Sequence, residues 1–145
     1  MADKFYINYS ASASPIEELE AADSSQKSRI IHSSIDKTIG GGKEIDCGGT
    51  AGDVAYQNYS TNTNTSAAPL SGTGYDFLMI KIAEAIDSDG DCDCSIEISG
   101  VVVSKLLKVG DVCLLRPPGI AGSVIEIYST ASKLCKIDIL SGKEA

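Results

Sequence analysis

Three carboxylates at alternate positions, in Asp87-Ser88-Asp89-Gly90-Asp91, are the residues best spaced for hard-cation chemistry, because oxygens so placed can converge on calcium. A calcium loop of the helix-loop-helix kind needs glycine at its sixth position and a bidentate glutamate at its twelfth, and those positions hold Cys92 and Ile98. The run therefore fits a solvated hairpin turn better than a metal site. Gly40-Gly41-Gly42-Lys43 invites comparison with a phosphate loop, but Lys37 stands where the first glycine belongs and Glu44 where the magnesium-binding hydroxyl belongs. His32 is the only histidine, and neither a serine nor a cysteine lies in a recognisable nucleophile elbow. Cys47, Cys92, Cys94, Cys113 and Cys135 make an odd count with no C-x-x-C pair. Cys92 and Cys94 would share one face of a strand, where they cannot easily bridge each other, and buried free thiols are the plain expectation. No catalytic, metal or cofactor constellation is expected.

Those residues must be positioned by strands. In Tyr75-Asp76-Phe77-Leu78-Met79-Ile80-Lys81-Ile82, the residues Leu78, Ile80 and Ile82 share one side of an extended chain, which predicts a central strand. Further short runs follow: Cys94 to Ile98, Val101 to Leu107, Val112 to Leu115, Val124 to Tyr128 and Leu134 to Leu140. They are separated by Gly100, Gly110-Asp111, Arg116-Pro117-Pro118-Gly119 and Ser129-Thr130-Ala131-Ser132. Even spacing of this kind predicts a mainly β fold, with an antiparallel sandwich or jelly-roll-like domain over about residues 75–140.

The first half is less regular. Phe5, Ile7 and Tyr9 alternate with Lys4, Tyr6 and Asn8. This segment fits an arm that pairs with a neighbouring subunit or an edge strand of its own domain, and it supplies the candidate subunit or capsid contacts Phe5, Ile7 and Tyr9. Ser14-Pro15-Ile16-Glu17 carries a hydroxyl cap, a first-turn proline and a following acid, which predicts a short helix. The isoleucines from Ile30 to Ile39 favour extended structure over a helix, and Gly48 to Gly74 fits a polar β-ribbon or a loop. The expected division is residues 1–74 as arm, helix and polar extension, and 75–145 as the β domain.

Twelve basic against twenty acidic residues, a formal charge of −8, disfavour a nucleic-acid partner. No window approaches the ~18 apolar residues that span a bilayer, and the first residues lack the pattern of a secretory signal. A cytoplasmic site of synthesis, with thiols kept reduced, is the expectation.

Tyr75-Asp76-Phe77-Leu78-Met79-Ile80-Lys81, Ile96-Glu97-Ile98 and Lys105-Leu106-Leu107-Lys108-Val109-Gly110-Asp111, with Val112-Cys113-Leu114-Leu115-Arg116-Pro117, together resemble small β-structured virion proteins of tailed bacteriophages. Ser34-Ile35-Asp36-Lys37-Thr38-Ile39-Gly40-Gly41 is similar to the segment that precedes the β domain in such proteins. The family pattern has a glutamate or similar residue after the turn glycine, where this chain has Asp111. The resemblance implies a virion structural protein without enzymatic activity, a capsid cement or decoration protein, commonly a homotrimer. Its partner would be the major capsid protein or another virion protein. A neck, tail or fibre-attachment protein, or a carbohydrate or host-recognition module, is the alternative.

Overall fold

The computed structural model describes residues 3–10, 16–18, 28–30, 43–50, 53–63, 66–67, 74–87, 90–116, 119, 121 and 124–145. The described residues form antiparallel β-structure and contain no α-helix. The chain divides into two compact units, one of Met1–Tyr6 with Asp46–Ala145 and one of Ile7–Ile45.

The first strands are short: β1 (Tyr6–Tyr9), β2 (Ile16–Glu18), β3 (Ser28–Ile30) and β4 (Lys43–Asp46). β1 is hydrogen-bonded to β4, and β2 pairs with β3 antiparallel, Ile16 opposite Ile30. Ile16–Glu18 is thus strand where the sequence predicts the start of a helix. The expected helix had only about three turns, below the ~12–15 residues at which an isolated helix becomes marginally stable. A partner strand satisfies the backbone of Ile16–Glu18 without that nucleation cost. The remainder of the predicted helix, most of the Ile30–Ile39 run, His32, the glycines 40–42 and the 34–41 segment lie outside the described residues.

The larger unit holds β5 (Val54–Ser60), β6 (Ser66–Ala67), β7 (Phe77–Ala85), β8 (Asp91–Ile98), β9 (Val101–Lys108), β10 (Val112–Leu115), β11 (Ile125–Ser129) and β12 (Cys135–Gly142). They form two four-stranded sheets, ordered β10-β7-β12-β5 and β6-β11-β8-β9. β5 and β6, from the stretch expected as ribbon or loop, are edge strands of these sheets. The larger unit therefore takes in Met1–Tyr6 and the stretch from Asp46 onward, as well as the residues after Tyr75.

β7 is central, flanked by β10 and β12, and it buries Leu78, Ile80 and Ile82 on one face as its alternation requires. Ile80 lies opposite Cys113 on one side and Ile139 on the other, and Ile82 lies opposite Ile137. In the second sheet Ile96 faces Ile127, and Cys94 faces both Ser129 and Leu106. The inward residues of both sheets merge into one apolar cluster built from Leu78, Ile80, Ile82, Ile96, Ile127 and Ile139 among others. Each isoleucine so buried contributes roughly 1.5–3 kcal/mol relative to exposure.

Two turns set the register of the strands that matter below. Ile98 and Val101 close a two-residue hairpin in which Ser99 and Gly100 have φ of 52° and 79°, both left-handed, as a turn matching strand twist requires. Between β9 and β10, Gly110 has φ of 92°, and the Asp111 carboxylate accepts the amides of Leu107 at 2.8 Å and Lys108 at 3.0 Å. That is the role for which the short side chain of Asp111 suits this turn.

Candidate interaction edge and thiol cluster

β9 and β10 follow each other in sequence, yet each is the outer strand of a different sheet. They approach each other across the turn at Gly110-Asp111, so two edges lie side by side on one flank of the unit. Edge strands expose a row of backbone donors and acceptors, and charge and bulges commonly protect them. Both protections are present in part. The β8–β9 register shifts between Ile96 and Glu97, consistent with an irregular ladder opposite Val102–Ser104, and Lys105 and Lys108 lie on β9. Even so the flank is apolar: Val101 is 63% exposed, and Val102, Val103, Leu107, Val109 and Val112 are exposed as well. These exposed apolar residues lie on both faces of β9 and along the turn into β10.

The sequence identifies both strands and misses the edge. A signal is present in Val101-Val102-Val103-Ser104-Lys105-Leu106-Leu107, which does not alternate. Leu106 is buried against the core, while its neighbours on both faces are left exposed.

The N-terminal contact candidates separate. Phe5 is exposed, but its backbone is already used, its amide donating to Gly48 O at 2.8 Å and its carbonyl accepting from Cys47 N at 2.9 Å. Ile7 is buried and Tyr9 half-buried in β1. Within the chain, β1 is hydrogen-bonded to β4.

Two aspartates of the 87–91 turn, Asp87 and Asp91, have neighbours of opposite polarity. Asp87 Oδ2 accepts the Leu134 amide at 3.0 Å, Asp91 lies 3.7 Å from Lys133 Nζ, and Asp89 is outside the described residues. No group of His, Cys, Asp or Glu able to hold a metal ion occurs among the described residues.

On the outer face of the first sheet, Asp138 accepts hydrogen bonds from Tyr56 Oη at 2.7 Å and Asn58 Nδ2 at 2.9 Å across the β5–β12 pair. The Asn58 and Tyr56 bonds hold its carboxyl below the usual range. Tyr128 Oη donates to Glu97 at 2.8 Å across the β8–β11 pair of the second sheet.

All five cysteines are free and buried, and three of them meet. Cys135, at the start of β12, is anchored by Thr61. The Thr61 amide donates to its carbonyl at 2.9 Å, the Thr61 hydroxyl donates to the same oxygen at 3.1 Å, and the Cys135 amide donates to Thr61 Oγ1 at 3.0 Å. Ser129 Oγ donates to Thr61 Oγ1 at 2.8 Å. Cys135 Sγ lies 3.6 Å from Thr61 Oγ1 and 3.7 Å from Ser129 Oγ, with both hydroxyl protons engaged elsewhere. The thiols of Cys94 and Cys92 also approach Cys135 Sγ. The interaction between Cys94 and Cys135 is the main cause that holds the Cys135 thiol below its ordinary value and the Cys94 thiol above it. Burial is the main cause that raises Cys92 to about 11.

No protein family, curated protein or solved structure matches the chain. Its function has to be argued from the geometry and from the resemblance in its turn and core residues.

Proposed function

We propose that the chain is a non-enzymatic virion structural protein, a capsid cement or decoration protein, that binds the shell and bridges neighbouring capsomers as a homotrimer. The observation that carries this reading is the pair of outer strands β9 and β10, which lie side by side and leave Val101, Val102, Val103, Leu107 and Val112 exposed.

The strand order supports it. β5 pairs with β12, β6 with β11, β7 with β10 and β8 with β9, which is one long ribbon folded at the β8–β9 hairpin. The further pairs β7–β12 and β8–β11 wrap that ribbon on itself. A ribbon so wrapped is a jelly roll, a sandwich architecture that recurs in viral capsid domains and in lectins. Binding through the double edge would bury apolar surface and add strand pairing. A contact of standard size buries ~1,600 Å², and a trimer multiplies it by raising effective concentration.

A second reading, a carbohydrate or host-recognition module, is favoured by Tyr56, which is 66% exposed on an outer sheet face beside Asp138. Light scattering on the purified chain, followed by co-sedimentation with undecorated capsid shells, tests the first reading. A trimer that sediments with shells is the expected result; a monomer that ignores them overturns it. Binding to a glycan array without binding to shells would install the second reading.

A further inference from the structure

We infer that the outer face of the first sheet around Tyr56 is a saccharide-binding face, which takes one neutral pyranose of a glycan against the tyrosine ring and holds it through Asp138 and Asn58. The site gives a ligand class to the carbohydrate reading above and rests on that reading. It is separate from β9, so it stands or falls without shell binding.

Strand register brings the parts together. Asp138 of β12 lies opposite Asn58 of β5 on one side and Lys81 of β7 on the other. Two residues along β12, Leu140 lies opposite Tyr56 and Met79, on the same outward face. Tyr56 is thus seated beside Leu140, yet its hydroxyl donates to Asp138 Oδ1 at 2.7 Å, one row away. That bond draws the ring diagonally across the sheet instead of letting it stand off the edge, and with Tyr56 66% exposed a broad side of the ring stays open to solvent. Asn58 Nδ2 donates to the same oxygen at 2.9 Å. Tyrosine, amide and carboxylate are therefore fixed relative to one another before any ligand arrives. Both bonds fall on Oδ1, which leaves Asp138 Oδ2 to accept from a ligand beside the exposed Lys81.

A pyranose is complementary to this set. One side of its ring carries C–H groups that pack on an aromatic face, and the hydroxyls at its edge donate to a carboxylate and accept from an amide or an ammonium. Asp138 is ionised at neutral pH and only accepts. With the chain's formal charge of −8, that carboxylate disfavours uronates and other anionic sugars, so the ligand is neutral. The tether between Tyr56 and Asp138 reduces the ordering that binding would otherwise cost. The face is open, so a single sugar is held weakly, at about millimolar, and a repeating polymer that supplies many sugars at high local concentration is the suitable probe.

The test is native electrophoresis of the intact chain through gels that carry mannan, galactan or dextran, with polygalacturonate as the acidic control. The expected result is retardation by at least one neutral polymer and none by polygalacturonate. Tyr56→Ala is expected to weaken that retention at least tenfold while moving the melting temperature by no more than about 3 °C, since the side chain is exposed on an edge strand. If Tyr56→Ala proves unstable, Asp138→Asn decides: the same shape, with a donor in place of one acceptor oxygen, is expected to weaken retention about tenfold. Retention unchanged in the folded Tyr56→Ala chain, or in Asp138→Asn, overturns this site and leaves the carbohydrate reading standing at another surface. Migration of the wild-type chain unchanged by all three neutral polymers overturns the site and that reading together, and retardation by polygalacturonate alone overturns the neutral class.

Discussion

At the scale of single residues, backbone conformation and hydrogen-bond chemistry make two separate demands. Ser99 occupies the first left-handed position of a two-residue hairpin, a conformation that costs an ordinary L-residue about 1–2 kcal/mol and that asparagine tolerates better. Ser99→Asn is therefore expected to stabilise the chain by roughly 0.5 kcal/mol, read as a higher urea midpoint with an unchanged slope. A lower midpoint would mean that contacts of the Ser99 side chain outweigh its backbone strain. Asp111 and Asp138 make the second demand. Two backbone amides hold the first below its ordinary value, and Asn58 and Tyr56 hold the second. A carboxylate depressed in the folded state contributes stability that is complete above the unfolded value, about 3.9, and is lost as pH falls through the lower folded value. The chain should accordingly lose stability below about pH 4, and Asp138→Asn should flatten that part of the curve in thermal melts taken from pH 5 to 2. An identical acid slope in the variant would remove Asp138 from the account.

At the scale of elements, the proposed docking through β9 and β10 can be separated from folding. Val102 and Val112 are exposed on two edge strands, so Val102→Asp with Val112→Asp is expected to abolish capsid sedimentation, a loss of at least tenfold, while moving the melting temperature by no more than about 3 °C. A collapse of the melting temperature would instead place these side chains inside the fold. The same elements show what the amino acids disclose by themselves. The strands from β7 to β12 were legible because Leu78, Ile80 and Ile82, or Cys94, Ile96 and Ile98, alternate against turns with chemistry of their own. The role of β5 was not legible, because Tyr56 and Asn58 look outward to Asp138, a residue 80 or more positions away, and no local pattern reports such a partner. Ile16–Glu18 misled for a related reason. Its capping signals are local, whereas its pairing with Ser28–Ile30 is not. The apolar flank and the thiol cluster are likewise products of strand order. Cys92, Cys94 and Cys135 meet only when β8 and β12 are brought face to face.

At the scale of the whole unit, the two four-stranded sheets draw on one core, which decides how it comes apart. Ile80, Ile137 and Ile139 from the first sheet and Ile96, Ile125 and Ile127 from the second are all fully buried in the same cluster, so neither sheet keeps a covered face without the other. A single cooperative transition is expected for the unit made of Met1–Tyr6 and Asp46–Ala145. Cys113, carried by edge strand β10 and buried in that shared core, should become reactive to a thiol reagent together with Cys94 of the second sheet and with the loss of far-ultraviolet β signal. Ile139→Ala removes a side chain that sits opposite Ile80 in the middle of the first sheet, and it should cost about 2–5 kcal/mol, a large share of the ~5–15 kcal/mol typical of a domain. Because the core is common to both sheets, that loss should shift Cys113 and Cys94 labelling equally along the urea axis. Labelling of Cys113 at a lower urea concentration than Cys94 would mean that the sheets unfold separately, and the picture of one wrapped ribbon closing on one core would fall with it.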